Sequence, residues 1–276
     1  MLDPLRLALS LGFSVLIGGL GYWRYSLTLS GWLGAIVVGT AAAGLGGWVW
    51  GILVVVFFVT SSALSHWRRA AKEQVAADKF AKTERRDWAQ TMANGGAVAG
   101  LALLYAFTPQ PWIFAAALGV LATVTADTWA TEVGTLSTRA PRLITSGRQV
   151  SVGTSGGVTA LGLLATIAGS LTIGVAAYLA QWLLEGQPAL TTILAALLGG
   201  TAGSLADSLL GATAQAMRFC PHCEVETERA IHRCGTATEH LRGWAWLDND
   251  WVNLLSSLVG GAVAASIWLL IGQSIA

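Results

Sequence analysis

Charge is scarce in this 276-residue sequence: 11% of its residues are Asp, Glu, Lys or Arg, under half of the roughly 25% found in soluble domains. With 54% hydrophobic residues, that scarcity excludes an ordinary soluble enzyme. An excess of either sign is missing too, since 16 Lys and Arg face 15 Asp and Glu for a net charge of +1. Without a basic surplus, no nucleic-acid partner is expected. There is no GxxxxGK[ST] segment, so the chain is not a P-loop kinase. Cysteine is limited to three residues, all between positions 220 and 234.

What charge exists is segregated. Gly31 to Ser65, Trp88 to Ala126, Gln149 to Leu184 and Trp251 to Ala276 contain no Asp, Glu, Lys or Arg, and each exceeds the ~20 residues that cross a bilayer. The sequence predicts an all-α, polytopic membrane bundle forming one domain over 1–276. Helices are expected near 5–22, 31–46, 48–65, 91–107, 112–132, 157–182, 189–216 and 251–272, about eight in number with seven to nine compatible. The division of 31–65 is placed at Gly44, Gly46 and Gly47, because an unbroken helix at 1.5 Å per residue would overshoot a core about 30 Å thick. Leu5–Tyr22 is expected to be a retained helix rather than a signal peptide, since its basic end is the single Arg6, near Asp3, and further apolar segments follow.

Arg68, Arg69, Lys72, Lys79, Lys82, Arg85 and Arg86 fall in the 66–90 connection, which the bias of cytoplasmic loops toward Lys and Arg assigns to the cytoplasm. Arg139, Arg142 and Arg148 return to that side, as do Arg218, Arg229, Arg233 and Arg242, whereas the connections near Pro109–Pro111 and Glu185–Pro188 contain no Lys or Arg. Within 66–86, basic residues alternate with Glu73, Asp78 and Glu84 among alanines. A surface helix lying near anionic headgroups is expected there, acting as a topological anchor without a catalytic part.

Carboxylates remain within or beside the apolar runs: Asp127, Glu132, Asp207, Asp248 and Asp250. Such groups are costly in a membrane and ordinarily face a water-filled or functional cavity. Asp127 and Glu132 share a face only if the helix ends or distorts near Gly134. Gly119…Ala126-Asp127-Thr128 recurs eighty positions later as Gly199…Ala206-Asp207-Ser208, and repeated membrane modules place polar sites where the repeats meet. Pro141-Arg142-Leu143-Ile144-Thr145 leads to Gly153-Thr154-Ser155-Gly156-Gly157 and an apolar helix, a grammar suited to phosphate: bare backbone N–H groups near a helix N-terminus with arginine close by. The alternative is that these glycines serve close helix packing. Asn249, Asp250 and Asn253 stand at the start of the last helix, where capping and packing that helix is one role open to them.

Cys220, Cys223, His232 and Cys234 give C-x2-C-x8-H-x-C within the cytoplasmic 217–248 segment, a set able to close a tetrahedral structural zinc site. Unliganded or redox-active thiols are the alternative. His222 is a poorer ligand than His232, and His240 is a spare.

Five ordered blocks, Ala126–Gly134, Pro141–Thr145, Gly153–Val158, Gly203–Ala212 and Leu247–Asn253, resemble the signatures of the transmembrane protein 19 family, which includes the phytyl-phosphate kinase of plastids and cyanobacteria. The resemblance extends from Gly31-Trp32-Leu33-Gly34-Ala35 to the last helix. It implies phosphoryl transfer from a nucleoside triphosphate, with CTP the expected donor, to an isoprenyl monophosphate such as phytyl phosphate, giving the diphosphate for tocopherol and quinone synthesis. Under that reading Asp127, Glu132 and Asp207 are the catalytic, Mg²⁺-binding residues. Thr128, Arg142, Thr145, Gly153, Thr154, Ser155, Gly156, Gly157, Ser208, Asn249, Asp250 and Asn253 bind the two phosphate substrates, and the prenyl tail lies in a groove open to the bilayer. A transporter or flippase of a polyprenyl phosphate or anionic solute would use similar intramembrane acids. A non-catalytic assembly factor with a zinc module is a third reading.

Overall fold

The computed structural model describes residues 3–69, 72, 79 and 85–271. The Asp3 carboxylate accepts hydrogen bonds from the backbone N–H groups of Leu5 and Arg6 and starts α1, Pro4–Trp23, satisfying donors that a helix N-terminus leaves unpaired. Thr28 does the same for α2, Leu29–Ala41, which widens into a π-helical turn over Ala42–Gly46. Gly47, at φ +116°, ends that turn in a conformation closed to L side chains, and α3, Trp48–His66, begins. The glycine cluster thus divides the long apolar run where the sequence suggests.

A reciprocal capping box between Asp87 and Gln90 opens α4, Trp88–Phe107. The remaining helices are α5, Pro111–Gly134, α6, Ala160–Glu185, α7, Leu190–Thr213, and α8, Asn249–Ile271. Among the described residues, seven of the eight helices are long and apolar enough to cross a membrane. The other, α4, places Gln90, Thr91 and Asn94 in its first two turns, a polarity that the site below uses. The surface helix expected over 66–86 lies largely outside the described residues.

Two small sheets depart from the purely helical expectation. β1, Arg142–Leu143, pairs with β2, Gly157–Val158, so α6 starts at Ala160, capped by Thr159, rather than at 157. β3, Met217–Cys220, lies between β4, Val225–Thr227, and β5, Glu239–Arg242, in an antiparallel sheet. Strands of two to four residues carry too little alternation to be read as sequence pattern. The turn into β3 also shortens the helix expected to reach 216: Ala216 N–H donates to Leu247 O, while the Arg242 guanidinium caps the Gly211 and Ala212 carbonyls at the end of α7.

The core is centred on α5, buried without interruption from Ala115 to Ala126. Its Gly119 packs so closely on α8 that a Cβ there would stand 2.4 Å from Gly260 O, and a Cβ on Gly199 of α7 would stand 2.7 Å from the same oxygen. Small residues at such crossings let membrane helices approach backbone to backbone, where dispersion does the work that the hydrophobic effect cannot do in lipid. The two copies of the Gly…Asp pattern therefore meet around one glycine. In each copy the Asp follows its Gly by eight residues, ~12 Å along the helix.

Candidate functional site

At the end of the bundle toward which both Asp residues lie, the last turns of α3, α5 and α7 and the first turns of α4, α6 and α8 surround a cavity of 1170 Å³. Asp127 from α5 and Asp207 from α7 both line it and are close enough to interact electrostatically. Asp207 Oδ2 accepts a hydrogen bond of 2.9 Å from the Ser256 hydroxyl of α8. The Asp248 carboxylate accepts from the backbone N–H of Asp250 and Trp251, so Asp248 is the residue that caps α8. Asn249, Asp250 and Asn253 line the cavity within the two turns before Ser256.

Glu132 shares the cavity but is engaged differently. One of its oxygens accepts from Ser65 Oγ at 2.6 Å and the other is ion-paired with Lys72. The same ammonium donates to the carbonyls of Leu64 and Ser65, the last turn of α3. Of the three acids expected to act alike, the fold brings Asp127 and Asp207 together and commits Glu132 to the cationic wall.

That wall is what sequence reasoning missed. Arg69, Lys72 and Arg86, from the connection read as a mere anchor, line the cavity, as do Arg218, Arg229 and Arg233 from the Cys/His segment and Gln90 and Asn94 from α4. Burial presses the Arg86 guanidinium below its ordinary range and Glu132 opposes that shift. Arginine's reference value is so high that the group stays charged. A signal for part of the wall did exist: Gln90 and Asn94 are four apart in the first turns of α4, which places both on one helical face.

The glycine loop also reaches the cavity, through Gly153, Thr154, Ser155, Gly156 and Gly157, together with Thr128 and Ser208. Gly156 has φ +80°, and a Cβ on it would stand 2.4 Å from Ala212 Cβ, so both its conformation and its contact with α7 exclude a side chain. The Ser155 hydroxyl donates to Gln215 Oε1 at 2.6 Å. Arg142 and Thr145 are not brought to the site. Both are exposed, and Arg142 Nη1 donates to Gly147 O at 2.7 Å. Their block instead braces the loop, with Ile144 N–H donating to Gly156 O and Val150 N–H to Pro141 O. Two-residue pairing fixes which way the arginine points, a fact that spacing alone does not carry.

On the three-stranded sheet, one ligand atom each from Cys220, Cys223, His232 and Cys234 all fall within 4.8 Å of one another. Cys220 Sγ and Cys234 Sγ are 3.6 Å apart, near the ~3.8 Å separation of two thiolates on one tetrahedral zinc with bonds of about 2.3 Å. The hydrogen bond with Thr236 and then that with His232 draw the Cys234 thiol down to about 5, whereas Cys223, beside Cys234, is pushed up to about 11. A soft donor set gathered this tightly could hold a zinc ion. Asp127 and Asp207, with the oxygen donors around them, form a hard set suited to Mg²⁺.

No solved structure matches the chain. "Protein PGR" of Arabidopsis thaliana is 33% identical, over 92% of this chain and 93% of its own length. An uncharacterised membrane protein of Methanocaldococcus jannaschii is 31% identical over 86% of this chain and 84% of its own, and another from a Synechocystis strain is 29% identical over 89% and 81%. Residues 12–261 match the family described as integral membrane protein DUF92. With so long a match, and with the motif blocks of transmembrane protein 19 set around one cavity, the chain belongs to this DUF92, transmembrane protein 19-like family of integral membrane proteins.

Proposed function

We propose that the protein is a membrane kinase that transfers a phosphoryl group from a nucleoside triphosphate, CTP first among candidates, to an isoprenyl monophosphate such as phytyl phosphate. The observation that carries this reading is the presence of Asp127 and Asp207 in one cavity whose other walls supply cations and a glycine loop. A phosphate monoester has its second pKa near 6 and is mostly dianionic at neutral pH, so the nucleophile scarcely needs a general base. The difficulty is to bring two polyanions together. Arg69, Lys72, Arg86, Arg218, Arg229 and Arg233 would offset their charge, and the loop Gly153–Gly157 offers backbone N–H groups to phosphate oxygens. Asp127 and Asp207 would hold Mg²⁺, with Thr128, Ser208, Asn249, Asp250 and Asn253 as neighbouring oxygen donors or nucleotide contacts. Bound there, the ion would neutralise charge on the transferred group. Glu132 is better cast as the partner that orients Lys72. In this reading the cavity faces the cytoplasm, following the distribution of Lys and Arg.

The test is donor consumption. Purified protein given CTP, phytyl phosphate and Mg²⁺ is expected to form CDP and phytyl diphosphate in equal amounts. Vectorial movement of the prenyl phosphate across a vesicle with no nucleotide turnover would replace the kinase by a transporter.

We further propose that Cys220, Cys223, His232 and Cys234 bind one structural zinc that fixes the segment bearing Arg218 and Arg229 against the cavity. Protein purified without a metal-binding tag should contain about one zinc per chain. Cys223→Ser should lower that occupancy and raise protease sensitivity of the 217–248 segment. Full occupancy in the variant would remove the assignment.

A further inference from the structure

A second cavity, of 340 Å³, lies among α1, α2, α3 and α4. Its walls are almost wholly apolar, with Ile17, Ala35, Val38, Ala43, Val54 and Phe57 prominent, and it is floored in part by the π-helical turn that contains Ala43. Two of its few polar residues are Arg86 and Asn94, and both also line the large polar cavity. Arg86 and Asn94 therefore form a wall that the two spaces share. At the other end Phe13, Trp48 and Ile52 line the slot while remaining 51%, 39% and 39% exposed, and the first two rings meet edge to face at 6.2 Å. These are side chains of apolar helices, so this end opens to the bilayer. From Trp48 to Phe58, both lining residues, α3 advances ten positions, ~15 Å.

Arg86 is held to this junction from several sides. Its Nη1 donates to Ser62 Oγ at 3.0 Å, its carbonyl accepts from Thr28 N–H, and the guanidinium carbon lies 5.6 Å from the Phe57 ring centroid. One side chain thus presents a charge to the polar cavity beside an aromatic wall of the apolar one. A ligand complementary to both spaces needs an anionic head and a long apolar chain. Neither the nucleotide nor an inorganic phosphate has that shape.

Building on the proposed prenyl-phosphate kinase reading, we infer that the slot among α1, α2, α3 and α4 is the binding site for the hydrocarbon tail of the acceptor, with its phosphate beside Arg86 and Asn94. The acceptor enters from the bilayer between α1 and α3, past Phe13 and Trp48, and the donor occupies the part of the polar cavity nearer α6 and α8. Tail and nucleotide then come from opposite flanks, and only the phosphates share the space before Asp127 and Asp207.

The test is photolabelling of the full-length protein in bilayer nanodiscs with a long-chain alkyl monophosphate that carries a terminal diazirine. Cross-linked peptides are expected from α1–α3, within residues 10–18 and 35–58, and unlabelled phytyl phosphate should displace them. Ala35→Phe, which pushes a ring into the slot, should weaken labelling and raise KM for long-chain acceptors about tenfold or more, the effect of overpacking a close-fitting site. Leu33→Phe, on the outward face of the same helix, should change neither. Displaceable labelling confined to α6, α7 or α8 would overturn the tail site even if kinase turnover is found. Labelling in α1–α3 with no turnover of any nucleotide would keep the site and overturn the kinase.

Discussion

Asp127→Asn and Asp207→Asn are each expected to lower turnover in the proposed prenyl-phosphate kinase reaction by at least about 100-fold while leaving the protein folded. Asparagine keeps the size of the side chain, and at position 207 its amide oxygen can still accept the Ser256 hydroxyl that now donates to Asp207 Oδ2. What is lost is the negative charge that would hold a cation. Two carboxylates lining the same cavity repel. Without divalent cation, either variant should therefore be as thermally stable as the parent or more so. Mg²⁺ should raise the melting temperature of the parent, since a ligand present at 100 times its Kd stabilises by about 2.7 kcal/mol, and should do so far less in the variants. The double variant is expected to be little worse than either single one, because residues that act as a unit do not add. A well-folded Asp207→Asn protein with near-normal turnover across a Mg²⁺ titration would remove the proposed site.

The second large effect concerns packing. Gly260→Leu is expected to leave little folded protein, because a Cβ at that position would stand 1.9 Å from Thr123 Oγ1, 2.7 Å from Gly199 O and 3.1 Å from Gly119 O. Thr123 is not free to rotate at no cost, since its hydroxyl donates to Gly119 O at 2.8 Å. The two carbonyls belong to α5 and α7 and yield only if the helices separate. That separation would also pull Asp127 and Asp207 apart, so any protein that does fold should lose turnover as well. Gly12→Leu is the control, as a Cβ there meets nothing within 4 Å. Size-exclusion profiles in detergent that are monodisperse and of equal yield for both variants would contradict this account of the triple crossing.

The sequence by itself determined the class of protein and singled out many of the residues that line the candidate cavity. Long charge-free runs can only be tolerated where lipid or protein replaces water, so the all-α membrane bundle was legible. So was the division at Gly47. The isolated carboxylates at 127 and 207 stood out because their neighbours are apolar, and the Gly…Asp spacing pointed to the pairing that the crossing at Gly260 produces. The Cys/His cluster was legible as a spatial group because its members are close along the chain. Tertiary structure alone decided what depends on direction rather than spacing. Arg142 and Thr145 belong to a suitable motif, yet the β1–β2 pairing turns them outward. Glu132 has the chemistry of Asp127 and Asp207 but meets Lys72. Arg69, Lys72 and Arg86 read as a topological anchor, and only the return of the chain over the bundle end sets them in the cavity wall. Local pattern records which residues are apolar or charged, whereas the meeting of side chains from six helix ends depends on crossings between segments far apart in the chain, and a single sequence does not encode those in any periodicity.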